Sequence, residues 1–419
     1  MTLIVAKFGG ASVASPACII QAAQKVAAEV NAGNQVVVVV SAMGDETNRL
    51  LALTTQLSPD PQLREVDVVI SAGEQVACGL MAIALKHIGL RAQSCLGWQI
   101  PITTTGHFSR ARITSVTTQK LESLLSAGII PVVAGFQGVS ADAEVTTFGR
   151  GGSDLTAVAI AAALQADYCM LYKDVDGIYS ADPHKVDKAQ LLSEVSYEEM
   201  LELSSSGSKV IQSRAIEAAI AFDVDIHIKP TFSQGQGTRI IKERVIKEQE
   251  LVTGIVCNQE ESKICLTETP VSPSVSARFF EALAEAKIAI DMIIQNGLLE
   301  GQGEDDLTFT LAQEDAGRAI QIAQNLKEEL GYKQIILSER VAKISLVGVG
   351  MRGHASVAHK LFATLAAHGV LVHGVSTSEI KMSVLVSSDY AELAMRSLHT
   401  VFGLDKKDIN DGSSKATAA

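Results

Sequence analysis

The chain has 419 residues, of which 47% are hydrophobic and 20% charged, enough apolar material for two or three folded domains. Its formal net charge is −12 and no basic block interrupts the acidity, which excludes nucleic acid as a main partner and favours small-molecule chemistry. The start "MTLIVAKFGG" is interrupted too early for a signal peptide, and no run reaches the length of a membrane helix. A cytoplasmic protein with no membrane partner is expected. Six cysteines are scattered with no CxxC pair, the pattern of buried thiols in a reducing compartment rather than of a disulfide framework or zinc site.

Residues 1–235 alternate β-branched runs with alanine-rich helical stretches. "LIVAKFGG" leads to a helix from about Pro16. "NQVVVVVSAMG" reads as a buried strand ending in a turn, and "IIPVVAGF", "YCMLYKDVDG" and "VDIHIKP" repeat the pattern. The order is α/β, with a mostly parallel sheet covered on both faces. Ligands in such sheets sit at the carboxyl ends of the strands. The polar motifs "KFGG", "SAMGDET", "GFQG" and "KDVDG" fall there.

Four of these stretches carry candidate chemistry. "VAKFGGAS" places Lys7 at a strand end before Gly9 and Gly10, which suits a phosphate oxygen or, more plainly, a solvated turn. "SAGEQVACG" sets Glu74 at a helix start after Gly73, as a dipole-favoured carboxylate or a partner for an ammonium group. "TTFGRGGSDLTAVAIAAALQAD" opens a helix capped by Ser153 or Asp154 and forms a cradle for an anion, with Arg150 able to fork onto a carboxylate or phosphate. Glu74 and Arg150 together make the complementary pair that an α-amino acid requires. "SSSGSKVIQSRAIEAA" starts a helix after Gly207 with Lys209 in its first turn, unfavourable for the helix dipole and so suggestive of an anionic partner. In "YKDVDGIYSADPHKV" the acids lack calcium-loop spacing, because Ile178 and Lys185 stand at positions 5 and 12 counted from Asp174. No metal site is expected on the protein itself.

After residue 250 the composition changes. "SKICLTETPVSPSVSARFFEALAEAKIAIDMII" resembles "AKISLVGVGMRGHASVAHKLFATLAAHGVLVHGV". Lys263 matches Lys343, and Val275, Phe280 and Leu283 match Val357, Phe362 and Leu365 after a two-residue slip. Each copy reads strand, loop, amphipathic helix, strand. "GVGMRG" in the second copy matches GxGxxG, but the next strand carries no acid and the chain has no room for a dinucleotide fold. The residues around 236–249 read as a linker and the polar end, 406–419, as a disordered tail.

Taken in order, "KFGG", "SAMG", Gly73–Glu74, "GFQGV", "FGRGGSD", "DVDGIYSADP", "GSKV" and "STSEI" resemble the aspartate kinases over about residues 1–405. The resemblance implies a three-layer amino-acid-kinase-like domain at 1–235, then two α+β, ferredoxin-like ACT modules at 250–335 and 336–405. It implies the reaction of MgATP with L-aspartate to give ADP and 4-phospho-L-aspartate, the entry to lysine, threonine and methionine synthesis. By resemblance, Lys7 and Lys209 stabilise the transferring group and Asp154 orients polar groups around it. Thr47, Glu74, Arg150, Gly151, Gly152 and Ser153 would hold aspartate. Lys7, Phe8, Gly9, Gly10, Ser41, Lys173, Asp174, Tyr179, Asp182, His184 and Lys209 would line ATP. Three positions depart from the family pattern: Ala11 after "KFGG", Lys173 in place of threonine, and His184 in place of arginine. Lys173 would either add a phosphate contact or crowd the purine site.

The same resemblance places effector contacts at Ser274, Val275, Gln295 and Asn296, with lysine and threonine as the expected effectors. Pro273–Ser274 stands where the family has Pro-Gly, so weakened or altered feedback is expected. A homo-oligomer paired through the ACT modules is also expected. Two other readings stay open at this point, a sister amino acid kinase of the same fold and a catalytically weak amino-acid sensor.

Overall fold

The computed structural model describes residues 1–242, 251–270, 272–295, 304–351 and 354–406. Two compact units divide the chain: Met1–Tyr179 with Leu191–Val245, and Ser180–Gln190 with Ile246–Ala419. Residues 243–249 of the expected linker, Val271, Asn296, Gly353 and the tail from residue 407 lie outside the described residues.

The first unit is an α/β body. Its strands are β1 (Leu3–Phe8), β2 (Gln35–Val40), β3 (Ala92–Cys95), β4 (Ile102–Thr104), β5 (Ile113–Val116) and β6 (Ile130–Ala134). They continue with β7 (Gln137–Ser140), β8 (Val145–Thr147), β9 (Tyr168–Lys173), β10 (Glu194–Ser196), β11 (Ile226–Pro230) and β12 (Thr238–Ile241). The helices are α1 (Pro16–Asn31), α2 (Glu46–Leu57), α3 (Leu63–His87), α4 (Gln119–Ser126), α5 (Gly152–Leu164), α6 (Tyr197–Ser205) and α7 (Ser213–Phe222). The main sheet runs β10-β12-β11-β9-β1-β2-β6-β3, parallel throughout except where β11 meets β12. A continuous apolar strand is what a sheet covered on both faces requires, and Val36–Val40 of β2 are all buried. Helix α1 starts where proline is tolerated, at its first position, and Ser15 Oγ accepts from Cys18 N–H at 3.2 Å. A smaller sheet, β5-β4-β7-β8, flanks the main one.

Helix α3 departs from the expectations in two ways. It runs unbroken through Gly73, so Glu74 sits at mid-helix and not at a helix start. A glycine inside a helix costs only about 1 kcal/mol, and here the missing side chain is needed, since a Cβ at Gly73 would lie 2.8 Å from Ala42 Cβ. The helix is also long and apolar enough, by length and composition, to cross a membrane, contrary to the reading that no run reaches that length. In this fold one face packs into the core through Ala77, Cys78, Met81 and Leu85.

The second unit carries one six-stranded sheet, ordered β14-β15-β13-β16-β18-β17. Its strands are β13 (Gly254–Pro270), β14 (Ile290–Gln295), β15 (Glu304–Ala312), β16 (Gln334–Val347), β17 (Val372–Thr377) and β18 (Lys381–Ser387). Helices α8 (Pro273–Glu285), α9 (Ala316–Asn325), α10 (Lys327–Leu330), α11 (Ala355–Ala367) and α12 (Ala391–Val401) complete it. The repeat is visible as β13-α8-β14 and β16-α11-β17, with Leu283 and Leu365 in matching core positions. The expected module border at 335/336 falls inside β16, because β13 and β16 are long strands that pair with each other and join both modules into one sheet. Lys343 is buried at this seam, 2.8 Å from Glu261, and also pairs with Asp291. Segment Ser180–Gln190 belongs to this unit: Ala181 and Val186 enter its core, and Ser180 Oγ lies 2.9 Å from Nε2 of the buried His399.

Candidate active site

The carboxyl ends of β1, β2, β6 and β9 lie side by side, and the polar motifs cluster there. Lys7, one residue before the end of β1, is 4% exposed. Its ammonium sits 2.6 Å from Asp154 Oδ1. Lys173, the last residue of β9, places its Nζ 3.1 Å from Asp154 Oδ1 and 2.9 Å from Oδ2. One buried carboxylate therefore holds two ammonium groups.

Electrostatics follow from burial. Burial pulls the Lys7 ammonium down to about 8; Asp154 opposes the shift and the neighbouring charge of Lys173 adds to it. Burial pushes the Asp154 carboxyl up, but Lys173 and Lys7 outweigh it and hold the group at about 2. Glu74 is 3% exposed and is raised to about 7 by burial, against the Ala42 N–H and the charge of Lys7. Glu74 Oε1 accepts from Ala42 N–H at 3.0 Å, in the loop after β2. Among the described residues its Oε2 is buried and has no hydrogen-bond partner. An unpartnered buried carboxylate oxygen is costly, and an ammonium group is the ligand that would satisfy it.

The glycine loop is built differently from its sequence reading. Gly151 is the N-cap of α5, with φ of +70°, and no side chain caps the helix. Ser153 and Asp154 lie within its first turn and are not caps. Asp154 is free of that duty because the two lysines engage it instead. Gly151 is required twice over, since its φ is left-handed and a Cβ there would lie 2.0 Å from Gln212 Cγ. Gln212 therefore brings the loop before α7 against the glycine loop. Lys209 is an exposed residue of that loop and not of the helix, which begins only at Ser213. Residues Gly207–Gln212 stay non-helical where the sequence pattern suggested a first turn. Arg150 is exposed between two glycines with left-handed backbones.

The remaining candidates are distributed as follows. Gly9 N–H donates to Tyr172 O at 3.2 Å, and Gly44 N–H donates to Gly10 O at 3.0 Å, so Gly9 is braced by the end of β9 and Gly10 by the loop after β2. Ser41 N–H donates to Phe8 O at 3.1 Å. Phe8 is fully buried and its ring stacks on Tyr172, so it supports the sheet from the core side. Thr47 is half-buried in the first turn of α2. Asp174 is exposed at the start of the loop after β9, and Tyr179 Oη pairs with Asp176 at 3.3 Å within it. Asp182 and His184 are exposed and belong to the second unit, where His184 N–H donates to Asp182 Oδ1. Ser274 is exposed and Val275 half-buried at the start of α8, while Gln295 ends β14.

Sequence reading missed Asp67. It is fully buried on α3, accepting from Ser109 N–H and Oγ at 2.8 and 2.9 Å and from Thr147 N–H and Oγ1 at 2.8 Å each. It braces β8, which leads directly into the glycine loop. The signal was available: an acid seven residues before Glu74, two helical turns along one face of an apolar helix. No group of three or more His, Cys, Asp or Glu converges among the described residues.

The chain matches the model of the amino acid kinase family over residues 2–230, and that of the ACT domain over residues 269–325 and 344–402. It is 45% identical over 406 residues to an aspartate kinase of Stutzerimonas stutzeri, covering 97% of this chain and 98% of that one. It is also 45% identical over 408 residues to an aspartate kinase of Pseudomonas fluorescens, with the same coverage. Among solved structures, aspartate kinase from Synechocystis aligns over 96% of this chain and 69% of its own at 37% identity and a TM-score of 0.53. Aspartokinase III of E. coli, solved with aspartate and ADP, shares the fold over 95% of this chain and 99% of its own, with a TM-score of 0.78 at 22% identity. Full-length coverage and identity far above the level that fold alone would give place this chain in the aspartate kinase family.

Proposed function

We propose that the chain transfers the γ-phosphoryl group of MgATP to the β-carboxylate of L-aspartate, giving ADP and 4-phospho-L-aspartate. The observation that carries this reading is the pairing of a buried cation cluster, Lys7 and Lys173 on Asp154, with a buried carboxylate, Glu74, that has one oxygen unpartnered. The cluster suits phosphate oxygens. Glu74 suits the α-ammonium of the amino acid, and Arg150 on its glycine loop suits the α-carboxylate. Thr47, Gly151, Gly152 and Ser153 complete the aspartate side. Gly9, Gly10 and Ser41 border the phosphate side, and Asp174 and Tyr179 the nucleotide. In this reading residues 1–235 are catalytic and 250–405 regulatory, the protein works in the cytoplasm, and the product feeds lysine, threonine and methionine synthesis.

The chemistry needs no general base. A substrate carboxyl with a pKa of about 4 is already ionised at neutral pH. One of its oxygens attacks the γ-phosphorus, the bond to the β,γ-bridging oxygen breaks, and ADP leaves with the electron pair. Catalysis is then alignment and neutralisation of spreading negative charge. In this reading Lys7 does this from the buried cluster, and Lys209, exposed on the loop before α7, acts on the same group. Asp154 fixes the direction of the Lys7 ammonium. Magnesium, which keeps waters and binds substrate phosphates more readily than protein cages, arrives with the nucleotide.

The test is ADP release with aspartate, glutamate and N-acetylglutamate as alternative acceptors. Turnover with aspartate alone is expected, and turnover with N-acetylglutamate would overturn the reading, because an acetylated amine offers Glu74 no charge. Arg150→Ala is expected to raise the aspartate KM about 30-fold or more while leaving the ATP KM within about threefold, the loss of a charge-assisted bidentate contact. Glu74 gives a pH signature. Its folded pKa of about 7 lies above the ordinary 4.5, so the free site is protonated below that value. Since only the carboxylate attracts an ammonium, kcat/KM for aspartate is expected to fall about tenfold per unit of pH on the acid side of about 7. A flat profile down to pH 5 would remove Glu74 from the amine site.

Regulation follows from the second unit. Ser272 Oγ and Ser274 Oγ lie 2.7 Å apart at the start of α8, so the hydroxyls of the altered loop engage each other. A serine where glycine would leave the backbone open narrows the approach of an effector carboxylate. In this reading Ser274, Val275, Gln295 and Asn296 form a weakened site for lysine or threonine, and the modules pair two chains into an oligomer.

A further inference from the structure

We infer that Lys173 is a further phosphoryl clamp, acting with Lys7 on the γ-phosphate, and not a residue of the purine pocket. The inference deepens the phosphotransfer reading above and rests on it.

Direction comes first. Lys173 ends β9, and the loop that follows, Asp174–Tyr179, is the one that borders the nucleotide in the reading above. A lysine there is free to extend outward over that loop. Instead its Nζ turns back across the sheet ends and contacts both oxygens of Asp154, in the first turn of α5. β1 and β9 are parallel neighbours with Phe8 opposite Tyr172, so Lys173 stands beside Gly9 in register. The space above Gly9 is shared: a Cβ there would lie 3.7 Å from Lys7 Nζ and 3.9 Å from Lys173 Cδ. The two lysines therefore converge on one small volume bordered by a residue with no side chain.

Charge comes second. Asp154 carries one negative charge and receives two ammonium groups, which leaves the three side chains with a surplus of one positive charge. Their side chains are 5%, 4% and 13% exposed for Lys7, Asp154 and Lys173. A surplus cation held away from water calls for an anionic ligand. Glu74, whose own pKa registers the charge of Lys7, is raised to about 7 by burial and is engaged by the substrate ammonium in the reading above, so it does not neutralise the cluster. Lys173 is the more open of the two ammonium groups and so the one a phosphate arriving from solvent meets first. Six N–H bonds are available on the two lysines, and Asp154 accepts three contacts from them. The rest remain to be matched by a ligand's oxygens.

Two nucleotides separate this role from purine contact, since ADP and the non-hydrolysable β,γ-methylene analogue of ATP share every atom except the terminal phosphonate and its bridge. For Lys173→Met, calorimetry is expected to show the analogue binding at least about tenfold more weakly and ADP within about threefold of wild type. Lys173→Arg is expected to recover most of the analogue affinity. The basic limb of the kcat/KM profile for ATP, set by Lys7, is expected to move upward in Lys173→Met, because a neighbouring positive charge has been removed; the split between the analogue and ADP is what separates a clamp from a structural ion pair. Equal weakening of ADP and the analogue would assign Lys173 to the nucleotide base or sugar and overturn the inference. Unchanged binding of both would reduce it to a structural ion pair and do the same. A wild-type chain that binds neither nucleotide would overturn the phosphotransfer reading itself, which separates the two failures.

Discussion

Lys7→Met is expected to lower kcat at least 100-fold while the affinity for ADP changes by less than about threefold. The expectation rests on where the charge is needed. A single preorganised donor aimed at developing charge is worth about 100- to 1,000-fold, and Lys7 is the most deeply buried cation of the cluster. Burial removes competing water and makes the ammonium effective, but it also lowers the pKa to about 8. The active form is the protonated one, so kcat/KM for ATP, which reports the free enzyme, is expected to decline as pH rises through about 8. That basic limb should be absent from the residual activity of Lys7→Met. Methionine fills a similar volume, and Asp154 keeps Lys173 as a partner, so the variant should fold. Retention of more than about a tenth of the wild-type kcat would remove Lys7 from the transition state.

The α/β order was legible because parallel strands buried on both faces write themselves as unbroken apolar runs, as in "QVVVVV". The regulatory repeat was legible because each copy needs the same core contacts, seen at Leu283 and Leu365. Glu74 was identified as a residue but misplaced on its helix. Glycine was read as a breaker, whereas Gly73 exists to let α3 approach Ala42. Lys209 was misplaced for a related reason: helical periodicity extended the helix into a loop that tertiary contact through Gln212 holds open. The pairing of Lys173 with Asp154 spans 19 residues and two elements, and nothing in local pattern encodes it. Segment 180–190 reads as a continuation of the nucleotide loop, yet Ala181 and Val186 are committed to the other unit's core. Sequence adjacency carries no information about which hydrophobic core a residue joins.

Holding Lys7 charged costs stability. Burial pulls its pKa from the ordinary 10.5 to about 8, so the fold disfavours the cation that the site requires. Asp154 opposes that cost, and the two lysines in turn hold its carboxyl at about 2. Residues that cost stability and persist in a packed core are held for chemistry. A nucleotide phosphate would supply the missing negative charge, and binding should therefore stabilise the fold and raise the Lys7 pKa together.

Asp154→Asn should show both sides of this balance in one variant. The substitution keeps the shape and removes the charge, leaving two ammonium groups close together with no anion between them. Breaking a buried ion pair by deleting one partner costs about 3–5 kcal/mol, so a fall in Tm of roughly 6–20 °C is expected for a unit of this size. Lys7 escapes part of the cost by losing its proton, because without Asp154 the remaining causes, burial and the Lys173 charge, all lower its pKa. Activity at pH 7 should then drop at least 100-fold and partly return at lower pH, where the ammonium re-forms. The stability effect has its own pH sign. Asp154 has a folded pKa of about 2, below its ordinary value, so its contribution is fully present above about pH 4 and fades as pH falls toward 2. Wild type and Asp154→Asn should therefore differ in Tm at pH 7 and converge in acid. Adding Lys7→Met to Asp154→Asn removes one of the stranded cations, so the double variant should be more stable than the two single losses predict, by about 1–3 kcal/mol of coupling. Additive losses, or a Tm difference that persists undiminished toward pH 2, would show that Asp154 acts through packing and not through charge.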